Sequence, residues 1–166
     1  MRFRIISYLR FLIKSTNAHG VHSPFVFNFV TQCLYSKRRY SNNRVINILL
    51  NSIDYFKARS VYLENHEMAK KEIESRFPGI DFDAALCDIL LINRLDQSGF
   101  CQLLHEGILH NDSMILVDSI HKNTAKLDEW KTLVALPEIT VSVDMYFCGA
   151  IFIRKEQVKQ HFTIRI

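Results

Sequence analysis

Apolar positions change their period near residue 59, from helical repeats to short continuous runs. Residues 2–14 (RFRIISYLRFLIK) place Phe3, Ile6, Leu9 and Ile13 close to one helical stripe, interrupted by Arg10. Such a stripe is expected to cover an apolar face of the same chain or of a second copy, the alternative being a membrane surface. Residues 16–23 (TNAHGVHS) read as a loop. Ser23 followed by Pro24 is a helix start, a hydroxyl cap ahead of a proline at the first helical position. The helix it opens, over 24–35, carries Phe25, Phe27, Phe29, Val30 and Leu34. A polar, basic linker (SKRRYSNNR, 36–44) ends at Asn43, a cap for a helix over 44–56 with Ile46, Leu49, Leu50 and Ile53 at helical spacing.

Beyond residue 59 strand and helix patterns alternate. Strands are expected at 60–64 (SVYLE), 88–93 (DILLIN), 113–118 (SMILVD), 140–145 and 150–154, with a short one within 80–86 and an edge at 162–166. Helices are expected at 68–77, ended by Pro78-Gly79, at 98–106, ended by Gly107, and at 124–136, ended by Pro137. In the last of these Leu127, Trp130 and Val134 should face inward. Uninterrupted apolar strands such as DILLIN belong to sheets covered on both faces. The reading is therefore α/β: a Rossmann-like, mostly parallel sheet preceded by an all-helical extension, with a boundary between 1–59 and 60–166. The strands at 140–145 and 150–154 lie too close together for a helical crossover, so they should pair antiparallel.

Composition narrows the class. The 166 residues are 48% hydrophobic and 23% charged, ordinary for a packed chain and unlike a disordered one. Cys33, Cys87, Cys101 and Cys148 are scattered, with no CxxC pair and no secretory leader, which fits reduced thiols in the cytoplasm. No apolar run reaches the roughly 20 residues that span a bilayer. The net charge of +4 is unevenly distributed: residues 1–53 hold eight Lys/Arg and no acid, and the remainder holds thirteen Lys/Arg against seventeen Asp/Glu. A basic extension docked on its own acidic body accounts for this; nucleic acid, an anionic membrane or a protein partner are the other readings.

Several motifs fail on geometry. His105 and His110 in HEGILH are five apart rather than four, about 140° around a helix, and Gly107 would end the helix between them. There is no GxGxxG, P-loop or GxSxG, and no Cys/His spacing for a metal. His19 and His22 fit a loop-ordering role, since no carboxylate is near them in sequence.

Two blocks, HGVHSPFVF (19–27) and RKEQVKQHFTIR (154–165), flank a middle pattern of HNDS (110–113), Asp118, Ile120, His121, Trp130, residues 140–144 and Gly149. Together they resemble a bacterial group of class I S-adenosylmethionine-dependent methyltransferases. The resemblance implies a Rossmann-type sheet with the site at the carboxyl ends of its strands. It places an acid and a glycine-rich loop after the first strand, where this chain has Leu63-Glu64-Asn65-His66-Glu67 and no glycine from Gly20 to Gly79. Asn65 stands for the first glycine and Glu64 for the acid, with a one-residue slip. Asn93 stands where an Asp faces the transferred methyl or a metal. Ser119 replaces the second acid of Asp-Asp-Ile-His, leaving Asp118 and His121 as candidate catalytic residues, the Asp orienting the imidazole. Asp81 or Asp83 is all that remains for the acid that binds ribose hydroxyls. The expectation is a methyltransferase-like protein with a degenerate cofactor half, acting as a binding or structural partner, with a protein partner or a second copy engaged through its N-terminal helices. No cofactor or metal is expected; the alternative is an active enzyme using S-adenosylmethionine through an atypical site.

Overall fold

The computed structural model describes the backbone of residues 2–166 and the side chains of residues 3–166. The helices are α1 (Arg2–Lys14), α2 (Pro24–Asn28), α3 (Arg44–Phe56), α4 (Glu67–Arg76), α5 (Gln97–His105) and α6 (Thr124–Val134). The strands are β1 (Val61–Leu63), β2 (Cys87–Ile92), β3 (Leu109–Asp118), β4 (Val141–Asp144), β5 (Cys148–Phe152) and β6 (Gln160–Thr163). Helix starts follow the local chemistry. The Ser23 hydroxyl accepts from Val26 N, Asn43 from Val45 N and Ile46 N, Asp96 from Gly99 N and Asn123 from Lys126 N. The helix expected over 24–35 is α-helical only to Asn28 and continues as a π-helical stretch, Phe29–Leu34. The strand expected within 80–86 is reduced to one parallel bridge, Ser60 with Asp81.

The six strands form one mixed sheet in the order β1-β2-β3-β5-β4-β6. The β1–β2, β2–β3 and β4–β6 pairs are parallel, and β5 runs antiparallel to both β3 and β4. The tight connection between β4 and β5 thus produces the antiparallel pair that its length requires. Alternate residues along β2 and β3 feed two cores. Ile89, Leu91, Met114 and Leu116 pack with Ala69 and Ile73 of α4 and with apolar residues from α2 to α3, including Phe29, Leu49 and Ile53. Leu90, Ile92, Ile115 and Val117 pack with Phe100 of α5 and with Trp130 and Leu133 of α6. Both faces of the sheet are therefore covered, and the basic helical extension shares its core with the sheet it precedes.

Of the stripe expected to cover an apolar face of this chain or of a second copy, Phe3 is half-buried and the other three residues are turned outward from the body. Ser7 and Phe11 are the buried residues of this helix, whereas Ile6, Leu9 and Ile13 are 49%, 54% and 85% exposed. Phe11 lies about 160° around the helix from Leu9 and from Ile13 at 100° per residue. The inversion has a cause in specific contacts. The Tyr146 hydroxyl donates to Arg4 O (2.8 Å), Ser7 bonds His121, and the rings of Tyr8 and Phe11 pack on Tyr146. These contacts lie on the side of the helix away from the Ile5–Leu9–Ile13 row.

Candidate functional site

The carboxyl ends of β1, β2 and β3 lie side by side, the place where open α/β sheets bind ligands. At the first two ends the groups named from the sequence bond to one another. The Asn93 backbone N–H donates to Glu64 Oε2 (2.7 Å), and the Asn93 side-chain amide donates back to Glu64 O (2.8 Å). The Lys126 ammonium, from the first turn of α6, donates to Asn93 O (2.6 Å) and to Asp118 O (3.4 Å). Burial pushes the Lys126 pKa down, against the opposing pull of Asp118. Glu64 and Asn93 thus staple β1 to β2, and Lys126 closes the adjoining strand ends.

Asn65 points into a different space. It lines a crevice of about 530 Å³ together with Asp118, Ser119, Arg44 and Phe147. Asn65 and Ser119 both have φ of 55°, in the left-handed region, as does Tyr146 at φ 69°. The turn after β1 therefore has a backbone that favours glycine, occupied by an Asn, which tolerates it. Ser119 carries its strain beside Asp118, whose Oδ1 accepts from the Ser119 hydroxyl (2.9 Å). Asp81 and Asp83 are remote from this crevice. Asp81 is bridged to Ser60, just before the start of β1, and its carboxylate accepts from Asp83 N (2.9 Å) to turn the chain back. The Asp81 carboxylate is thus engaged in a turn on the edge of the sheet, and Asp83 is exposed beside it. The residues present do not fit S-adenosylmethionine in the manner that the resemblance implies.

His121 is not oriented by Asp118. Its Nε2 is 2.7 Å from Asp144 Oδ2, and its Nδ1 is 2.7 Å from Ser7 Oγ. A carboxylate only accepts, so Nε2 carries a hydrogen, and Nδ1 exchanges a bond with the serine hydroxyl. Asp144 Oδ1 also accepts from Tyr146 N (2.8 Å). This Ser7–His121–Asp144 chain has the residue types of a hydrolase triad but not its surroundings. Ser7 is buried within α1, whose interior N–H groups are already bonded along the helix, so no pair of free donors faces its oxygen. Both imidazole nitrogens are occupied, and the ring stacks on Tyr146 at 4.8 Å. The assembly clamps α1 to the ends of β3 and β4. Beside it a second cavity, of about 480 Å³, runs between α1 and α6, with Phe11, Trp130, Phe162 and His161 among its walls.

The sequence did not single out Ser7, Lys126 or Tyr146, and it named Asp144 only as part of a block. Nothing in the spacing marks a serine inside a helix at residue 7 as the partner of a histidine at 121. The blocks that carry the resemblance meet at the other end of the sheet. Asn111 bonds Glu156 (2.9 Å) and Lys155 N (2.9 Å), and Asp112 pairs with Arg154 (3.0 Å). The Arg154 guanidinium sits 4.6 Å over the Phe25 ring, and Ser23 donates to Gln157 (3.3 Å). HSPF, HNDS and RKEQ are therefore parts of one latch at the amino end of β3, away from the strand ends where chemistry would sit. His110 pairs with Asp88 (3.0 Å) on β2, and His19 and His22 are exposed. Among the described residues no cluster of His, Cys, Asp and Glu is arranged to hold a metal ion, and no helix is long and apolar enough to cross a membrane.

The class that emerges is a six-stranded mixed α/β protein whose first two strand ends are closed by its own side chains. Compared with protein-family models, curated proteins and solved structures, the chain finds no match.

Proposed function

We propose that the chain is a methyltransferase-like protein of Rossmann type that no longer works on S-adenosylmethionine and serves as a binding or structural partner. The observation that carries this reading is the Glu64–Asn93–Lys126 closure. The groups that the resemblance assigns to cofactor and methyl transfer hold β1, β2 and α6 to each other at 2.6–2.8 Å. Glu64 Oε2 is engaged by a backbone N–H inside its own sheet, so a ligand at that oxygen would compete with the Asn93 donor and only Oε1 is left to accept freely.

The course of the chain supports the ancestry. From β1 it passes through α4 on one face to the Asp81 bridge on the outer edge of β1, then returns to β2 and proceeds through α5 and α6 on the opposite face. A doubly wound sheet reverses in this way, its helices changing face where the strand order turns. Here the outward half is a single bridge, which leaves one side of the crevice without the strand that would wall it.

A second reading, an active methyltransferase with an atypical site, is favoured by the crevice itself. Its size and the left-handed turn at Asn65 remain compatible with a ligand at the strand ends. Calorimetric titration of the full chain with S-adenosylmethionine and with S-adenosylhomocysteine decides between them. The expected result is no binding heat from a protein that is folded by circular dichroism. A micromolar response to either compound would overturn the pseudo-enzyme reading.

A further inference from the structure

We infer that α1 is an interfacial anchor that lays its outward stripe on an anionic lipid surface. The stripe is formed by Ile5, Leu9 and Ile13, repeating every four residues, with Ile6 beside them; their exposure runs from 49% to 85%. A helix that packs against its own domain normally buries such a row. Here the opposite side is bolted down through Ser7–His121–Asp144 and Tyr146–Arg4, so the apolar row faces away from the body by construction. The clamp sets the orientation, and the exposed row is its consequence.

Charge selects the occupant. The segment from Arg2 to Lys14 contains Arg2, Arg4, Arg10 and Lys14 and no acid. Arg10 and Lys14 border the cavity between α1 and α6, on the same flank as Lys131. An apolar row flanked by cations matches a bilayer surface, where the row enters the acyl boundary and the cations meet anionic headgroups. A second copy would set two wholly cationic helices against each other with no acid on either to offset the repulsion. Nucleic acid would use the cations and leave the isoleucines in water. The inference does not depend on the fate of the cofactor site, because α1 contributes nothing to the crevice at Asn65 and Asp118.

Flotation of the full chain with phosphatidylcholine vesicles, with and without phosphatidylglycerol, tests this. The protein should float with the anionic vesicles, stay behind with the neutral ones, and be released by raised salt, since surface attraction is screened within a Debye length. Leu9→Ser with Ile13→Ser should abolish flotation with only a small fall in the thermal midpoint, because Ile13 is 85% and Leu9 54% exposed. Arg10→Glu with Lys14→Glu should weaken partitioning by about 25-fold, or about fivefold per cation, counting only the attraction lost. Failure to float with anionic vesicles at low salt would overturn the inference, as would undiminished flotation of the serine variant. A dimer in sedimentation that disappears with the serine substitutions, without flotation of the parent, would reassign the row to a second copy.

Discussion

Gly149→Ala should destabilise the protein through a single clash. Gly149 lies in β5, in register with Val117 of β3 on one side and Asp144 of β4 on the other. A Cβ built on it would stand 2.3 Å from Trp130 Cη2, 2.6 Å from Cζ3 and 2.7 Å from Cζ2. The indole ring therefore rests on the bare backbone of the central antiparallel strand. Reaching ordinary contact requires the ring to retreat by about an ångström, and Trp130 is packed into the same core as Phe100, Leu133 and Ile151. Overpacking of this kind costs about 1–3 kcal/mol, while removing glycine from a strand returns about 0.5–1 kcal/mol. A net loss of about 1 kcal/mol is expected, which for a chain of this length lowers the melting midpoint by about 2–4 °C. Trp130 is the single tryptophan of the chain, so its fluorescence during urea unfolding reports directly from the site. A double-mutant cycle isolates the contact, read by circular dichroism so that every variant can be followed. In a Trp130→Leu background Gly149→Ala should be neutral or slightly stabilising, giving a coupling of about 2 kcal/mol. Equal losses in both backgrounds, or an alanine variant within about 0.5 kcal/mol of the parent, would refute the close approach of ring and backbone.

Two further outcomes follow from titrating groups. Burial pushes the Cys33 thiol up to about 12 and raises Cys87 and, more strongly, Cys148, whereas Cys101 is exposed on α5. A thiol reagent at neutral pH should therefore label Cys101 promptly and the other three only on unfolding; fast reaction of a second thiol in the folded chain would contradict the packing around it. Burial is the largest single influence on Asp88 and pushes its carboxyl pKa up, but hydrogen bonds from Arg59 N, Ser60 N and His110 together outweigh it and bring the pKa below the ordinary 3.8. Its contribution is then present above the unfolded pKa and lost as pH falls through the lower folded value. Asp88→Asn should lower stability at pH 7 and flatten the loss below about pH 4; an acid limb as steep as the parent's in urea titrations would remove Asp88 from that role.

Local chemistry was legible wherever neighbours in sequence decide it. Ser23-Pro24, Asn43 and the apolar run DILLIN became a capped helix, a capped helix and a covered strand because caps and alternation act within a few residues. The antiparallel β4–β5 pair was set by the length of its connection in the same way. The expected strand within 80–86 was not built, because the Asp81 carboxylate accepts from Asp83 N and turns the chain after one bridge. Side-chain bonding of this kind competes with a strand ladder, and periodicity does not register it.

The candidate site divides along the same line. Asn65, Asn93 and Ser119 at the strand ends, and the absence of glycine between residues 20 and 79, are properties of the amino-acid string, readable without coordinates. Which groups meet is a property of the packed sheet. Glu64 turned to Asn93, His121 turned to Asp144 and Ser7, and Lys126 reached over two strand ends through contacts separated by 8 to 114 positions. The outward face of α1 belongs to the same category. Its composition is amphipathic, but an amphipathic helix has two sides, and hydropathy alone favours burying the apolar one. The choice fell to a hydroxyl, an imidazole and a phenol whose hydrogen bonds lie on the other side and exist only once β3, β4 and α1 are together.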